Sequence, residues 1–145
     1  MAEETEFVSR TGEVGAETGK VYGLAGDMGN FTRFVPAGSV NNWHADSDSC
    51  SFEISPLGKV KVSITEREPF SKIKYEGVAM NSIPFRVWLQ LKENGPANTR
   101  FRIVLRVELN PFYKMMVTGA INEYLGRLID EIEAFDKWDT LSTDK

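Results

Sequence analysis

The sequence predicts an α+β fold: a curved antiparallel sheet of about seven strands around one long C-terminal helix, with two short helices after the first strand. Three observations carry this. Residues 40–108 alternate between apolar and polar side chains, with turn signals at intervals of about ten residues. Residues 112–135 repeat apolar side chains at helical spacing behind an Asn-Pro start. Between residues 16 and 34 apolar residues recur at steps of three and four, interrupted by glycine.

Residues 6–13 hold Phe7, Val8 and Thr11 in a polar setting and form the expected first strand. Glu17, Val21, Leu24 and Ala25, then Met28, Phe31 and Phe34, take helical spacing broken by Gly26 and Gly29, which gives two short helices closed by Pro36. Turns at 46–48, 55–58, 68–71, 80–84 and 94–98 divide the following stretch into six strands. Their alternation assigns faces. Val60, Val62, Ile64, Ile73, Tyr75, Phe85, Val87, Leu89, Leu91, Phe101, Ile103, Leu105 and Val107 point inward. Lys59, Lys61, Lys72, Lys74, Arg86, Trp88, Lys92, Arg100, Arg102, Val104 and Arg106 point outward.

The apolar face needs a cover, and the last helix supplies it. Asn110 is placed to cap it and Pro111 to occupy its first position, and about six turns follow. Phe112, Met115, Met116, Gly119, Ala120, Leu125, Leu128, Ile129, Ile132 and Phe135 form the expected apolar stripe. Lys114, Asn122, Glu123, Arg127, Asp130, Glu131 and Glu133 form the wet side. Residues 136–145 read as a polar, loose tail.

At 145 residues the chain has the size of one domain, spanning 1–145, able to bury a core without disulfides or metal. The acidic start MAEETE and the absence of a long apolar run predict neither an export signal nor a membrane-spanning segment, hence a cytoplasmic protein. The match of Asn30-Phe31-Thr32 to a glycosylation acceptor then has no consequence. The single Cys50 excludes an intramolecular disulfide and a thiolate metal cage, and its setting among Ser47, Asp48, Ser49 and Ser51 gives it a structural role. A net charge of −4 argues against a nucleic-acid partner, whose affinity rests on neutralising phosphates. No cofactor is implied.

The order strand, two short helices, six-stranded meander and long C-terminal helix, with the stretch VYGLAGDMGNFTRFVP from Val21 to Pro36, resembles the START-like superfamily, the helix-grip group of polyketide cyclase/dehydrase and lipid-transport proteins. The likeness covers nearly the whole chain and is greatest for small bacterial single-domain members, including the type associated with carbon monoxide dehydrogenase. It implies a site for a sterol, lipid, polyketide or other apolar molecule between sheet and long helix. It implies no particular reaction, since fold alone is a weak warrant for function.

Candidate cavity residues are accordingly Val62, Ile64, Ile73, Tyr75, Phe85, Val87, Leu89, Phe101, Ile103 and Leu105 from the sheet, with Met115, Met116 and Gly119 from the helix. Asn42 and Glu66 are candidate polar groups at the cavity, and Glu66 continues the inward series of Val60, Val62 and Ile64. Candidate chemistry is thin. His44 is the only histidine, and no sequence neighbour orients it as a base. Gly23, Gly26 and Gly29 lack the Lys-Ser/Thr ending of a phosphate loop. On the outer face, a symmetric turn at 94–98 puts Trp88 opposite Val104 inside a basic field. Three readings follow: a carrier of a small hydrophobic molecule; a cyclase- or dehydratase-type enzyme using the same cavity; or an interaction module meeting a homodimer mate, another protein or an anionic membrane through Trp88 and Arg102.

Overall fold

The computed structural model describes residues 3–29, 40–54, 58–79 and 83–135. The expected second short helix, with Phe31, Phe34 and Pro36, lies outside the described residues. So do most of the turns at 55–58 and 80–84 and the tail at 136–145.

The expected first strand is two strands, β1 (Glu3–Val8) and β2 (Gly12–Val14), both antiparallel to the same later strand. Four steps from Val8 to Gly12 face three from Val104 to Phe101, so an extra residue sits in the break. Ser9 bridges it: its hydroxyl accepts from the Ile103 amide at 2.9 Å, and its own amide donates to the Ile103 carbonyl at 2.9 Å.

Helix α1 (Thr18–Ala25) follows, burying Thr18, Val21 and Leu24. Its first turn is tied to the sheet by paired hydroxyls, Thr18 Oγ1 to Thr99 Oγ1 at 2.9 Å, and Thr99 Oγ1 donates to the Ala16 carbonyl at 2.8 Å. Its far end is held by Arg67, whose Nη2 donates to the Gly26 carbonyl at 2.9 Å and to Asp48 at 2.7 Å. Phe70, in the left-handed region at φ 61°, sets its ring edge-on to Tyr22 at 5.6 Å.

The meander then runs as β3 (Val40–Ala45), β4 (Ser49–Ile54), β5 (Gly58–Glu68), β6 (Lys72–Ala79), β7 (Ile83–Glu93) and β8 (Thr99–Leu109), the six strands expected. Among the described residues the sheet is antiparallel in the order β1-β8-β7-β6-β5-β4-β3, with β2 also on β8. It is the curved, open sheet of an α+β fold, one strand richer than the sequence suggested because the first strand is split.

Helix α2 (Pro111–Ala134) closes the inner face. Asn110 caps it as expected, its Oδ1 accepting from the Tyr113 amide at 2.8 Å, with Pro111 in the first turn. The helix packs on β1, β2 and β8, one side of the sheet. The approach to β2 is close enough to require glycine: a Cβ on Gly12 would lie 2.6 Å from the Phe101 ring and 2.9 Å from Ile129. Arg10 clasps the same corner, reaching Glu133 at 2.7 Å and Asp130 at 2.5 Å, while Glu133 also accepts from the Glu13 amide at 2.9 Å.

Two expected outcomes test this seat. Gly12→Ala overpacks Phe101 and Ile129, both buried, and should cost about 1–3 kcal/mol in urea unfolding; an unchanged midpoint would show that the close approach is not needed. The second concerns pH. Arg10 and the Glu13 amide hold the Glu133 carboxyl below its ordinary value of 4.5. A carboxyl depressed in the folded state contributes stability that is full above its unfolded value and disappears as pH falls through the folded value. Glu133→Gln should therefore lower the melting temperature at pH 7, and the gap to the parent should narrow as the pH falls below 4.5 and close once the carboxyl is protonated in the folded chain.

Candidate ligand cavity

Between α2 and the inner face of β4–β8 lies an apolar cavity with two lobes. The first, about 200 Å³, is bounded by Leu24, Ala25 and Met28 beside α1, by the middle of β5–β8, and by Leu125, Leu128 and Ile132 of α2. The second, about 190 Å³, runs under α2 from its first turn to just past its middle, where Tyr113, Val117, Ala120, Ile121 and Tyr124 face Ala79, Ile83, Val107 and Leu109. Phe52, Val60, Phe85, Val87, Leu105 and Leu125 line both. The two lobes adjoin along the helix at these shared residues.

Seven of the sequence-predicted residues form its wall: Val62, Tyr75, Phe85, Val87, Leu89, Ile103 and Leu105. Ile64, Ile73 and Phe101 are buried in the packed core beside it. One wall is fixed by Gly77, where a Cβ would lie 2.3 Å from the Lys61 carbonyl and 2.5 Å from the Phe85 ring. The Phe85 ring thus lies flush on the strand.

The helix residues differ from expectation. Met115 and Met116 are 79% and 55% exposed, and Gly119 faces open space. At 3.6 residues per turn, the group Phe112, Met115, Met116 and Gly119 lies roughly 140° around the helix from Leu125, Leu128, Ile129 and Ile132, so the two could not share one face. The buried row is Val117, Ile121, Leu125, Ile129 and Ile132; Val117 and Ile121 were missing from the expected stripe.

Glu66 and Asn42 also fall outside. In β5 the pairing passes from Ile64–Tyr75 to Glu66–Lys74, so Thr65 is an extra residue and the alternation slips. Glu66 is left exposed, and Arg67 comes to the inner end of the strand to hold α1. The other irregularity, between Asn41 and His44, places Asn42 in the left-handed region at φ 54°, exposed. His44 is exposed on β3 opposite Ser51.

Titratable side chains lining the cavity are, among the described residues, Asp27, Tyr75, Tyr113 and Tyr124. The Tyr75 hydroxyl is already committed, donating to the Ala25 carbonyl at 2.9 Å, and burial raises its pKa well above the ordinary phenol range. Cys50 is buried on β4, where loss of solvent, helped by the Asp46 carboxylate, pushes its thiol up to about 12. It is inert at neutral pH, as a structural cysteine is. Among the described residues no cluster of His, Cys, Asp and Glu is placed to hold a metal ion, and no helix is long and apolar enough to cross a membrane.

On the outer face Trp88 does stand opposite Val104. Arg106, Lys74 and Arg86 lie 5.3, 5.7 and 5.9 Å from its ring. The surroundings are not the basic field expected. Glu4 and Glu6 of β1 pair with Arg86 and Arg106, and Glu76 pairs with Lys74 at 3.4 Å. Arg102 donates to Gln90 across the strand pair. The cations that surround Trp88 are thus each matched by a carboxylate.

By sequence, no family model and no curated protein matches the chain. Solved structures do. Norcoclaurine synthase from Thalictrum flavum is similar with a TM-score of 0.69 at 10% identity, over 99% of this chain and 89% of that one. A START superfamily protein from Mycobacterium smegmatis gives 0.67 at 13% identity, over 95% and 98%. A conserved protein from Geobacillus kaustophilus gives 0.66 at 10%, over 90% and 93%. The chain therefore has the START-like, helix-grip fold. The type associated with carbon monoxide dehydrogenase is not singled out by these neighbours.

The new assignment of faces on α2 is directly testable. Met115→Glu should change unfolding free energy by less than about 0.5 kcal/mol, whereas Leu125→Ala should cost about 2–4 kcal/mol. Comparable losses at the two positions would return Met115 to the interior.

Proposed function

We propose that the chain binds a small hydrophobic molecule in the cavity between the sheet and α2, acting as a carrier or sensing module. The observation that supports this is the cavity itself: two adjoining lobes lined by carbon nearly throughout, in a fold where α2 packs closely on β1, β2 and β8 only. Concave, mainly apolar sites with few polar groups are the usual places for small molecules. An engineered apolar cavity of about 150 Å³ already binds benzene, and each lobe here exceeds that.

The enzymatic reading needs convergent acids and bases around a reacting atom. One solved structure of norcoclaurine synthase is in complex with dopamine and hydroxybenzaldehyde, so catalysis on such a scaffold is attested in that protein. In this chain the first lobe offers Asp27 and a Tyr75 hydroxyl already donated to backbone, which does not favour the reading. The interaction reading through Trp88 and Arg102 is weakened by the internal pairing of that face.

The test is uptake of a fluorescent hydrophobic probe such as anilinonaphthalene sulfonate by the purified chain. Val87→Phe and Leu125→Phe fill the space common to both lobes and should weaken uptake at least tenfold, about 1.4 kcal/mol, without lowering the melting temperature by more than a few degrees. Uptake untouched by either substitution would place the probe elsewhere and remove the basis of the proposal.

A further inference from the structure

Helix α2 has a second face, turned away from the sheet, that the packing of a single chain does not account for. Phe112, Met115 and Met116 on its first two turns are 65%, 79% and 55% exposed. Gly119 beyond them is exposed as well, and a Cβ added there would meet nothing within 4 Å among the described residues. Glycine inside a helix is destabilising relative to alanine, and nothing in the chain's own packing calls for it here. A contiguous exposed apolar patch marks a surface that meets another one.

The pattern of the face describes that other surface. Phe112, Met116, Gly119 and Glu123 follow at steps of four, three and four, the spacing of the seam between two packed helices. At about 100° per residue they stay within roughly 60° of arc, and all four are exposed. Reach and charge then narrow the occupant. Trp138 and Leu141 follow Phe135 by three and six residues, which lets them extend roughly 10 and 20 Å past it. Met116 lies roughly 28 Å back along the axis, out of their range. A bilayer would have to take up the Glu123 carboxylate, and the chain's net charge of −4 opposes an anionic surface.

A second copy meets neither obstacle. Two parallel α2 helices would set Glu123 against Glu123, a like-charge contact; two antiparallel ones do not. With a two-fold axis between Val117 and Thr118, Met116 of each copy lies over Gly119 of the other, where no Cβ holds it off. Glu123 of each copy lies level with Phe112 of the other, at a helix start whose first turn has no acidic side chain of its own. A carboxylate is favoured at that end of a helix. One patch is used twice, as an isologous pair requires.

We propose that two copies of the chain associate through the outward face of α2, antiparallel about an axis between Val117 and Thr118. One helix pair in contact over about three turns buries less than the roughly 800 Å² per partner of stable complexes, so the dimer is weak and forms with rising concentration. The inner face of α2 stays on the sheet.

The experiment is disulfide trapping in the full chain, whose native Cys50 is buried. Phe112→Cys and Glu123→Cys are oxidised singly and as an equal mixture. In the antiparallel pair like positions stand roughly 16 Å apart along the axis, beyond the 7 Å or so that a disulfide bridges between Cα atoms, while unlike positions stand level. The mixture should link at least tenfold faster than either variant alone; self-linking at an equal or greater rate would overturn the antiparallel pair. Sedimentation of the parent from about 1 µM to about 1 mM, the range of weak complexes, should show the average mass rising towards two chains. Met116→Glu and Gly119→Gln should each weaken association at least tenfold. Gly119→Gln should also leave the melting temperature of the dilute chain unchanged or higher, since glutamine is the better helix former, which separates lost association from lost folding. A parent that remains one chain over the whole range would overturn the proposal. So would capture of single chains by vesicles of phosphatidylcholine and phosphatidylglycerol in equal parts, which would give the face to a lipid surface.

Discussion

The seat of α2 on β2 is the contact on which the rest of the molecule depends. A helix is a nearly straight rod and a twisted sheet is a saddle, so the two meet closely along part of their length only. Here the point of closest approach is fixed at one side, where Gly12 offers no Cβ and the Phe101 ring and Ile129 fill its place. Arg10, bridging to Asp130 and Glu133, holds the C-terminal half of the helix in that position. With α2 committed to β1, β2 and β8, and α1 covering β6 and β7 at one end, the rest of the inner face of β5, β6 and β7 is left without close cover. The cavity is the geometrical remainder of that choice.

The sheet was legible in the sequence because it obeys a period of two over long runs. Phe85, Val87, Leu89 and Leu91 on β7 face Val107, Leu105, Ile103 and Phe101 on β8 in unbroken register, and that register also fixed Trp88 against Val104. What alternation does not reveal is an added residue. Thr65 reverses the faces after Ile64, which turned a predicted cavity carboxylate, Glu66, to solvent and brought Arg67 to the carbonyl of Gly26. The extra residue between β1 and β2 has the same effect on the first strand, and nothing in the one-dimensional pattern marks either position. The pairing of Arg86 and Arg106 with Glu4 and Glu6 was hidden for a related reason. It joins residues some hundred positions apart, and a face counted strand by strand omits the carboxylates of the neighbour.

Helix α2 shows how far a pattern can be right in extent and wrong in phase. Its cap and length follow from Asn110-Pro111 and the polar residues after position 135. Between 112 and 121, however, the sequence is apolar on nearly every side, with Phe112, Met115, Met116 and Gly119 on one face and Tyr113, Val117, Ala120 and Ile121 on another. Periodicity within that window cannot choose between them. The choice is made by continuity with the second half: Val117 and Ile121 lie on the four-residue row that leads to Leu125 and Ile129, and a helix without a kink must present one row to the sheet.

An apolar space beside the core forgoes the packing contacts that a filled interior would make. Stability is a small difference between large terms, so the helices have to be held by other contacts. The directed contacts that position the helices sit at the perimeter: the Thr18–Thr99 hydroxyl pair and Arg67 at the two ends of α1, and the Arg10 clasp at the far end of α2. Each is directed and polar, and none occupies the volume between the lobes. Positioning of the helices and lining of the cavity thereby fall largely to different atoms, with Leu125 of the buried row serving both. The wall residues Val87 and Leu105 can then vary in size while the frame that positions α2 stays the same, provided that Gly12 remains glycine.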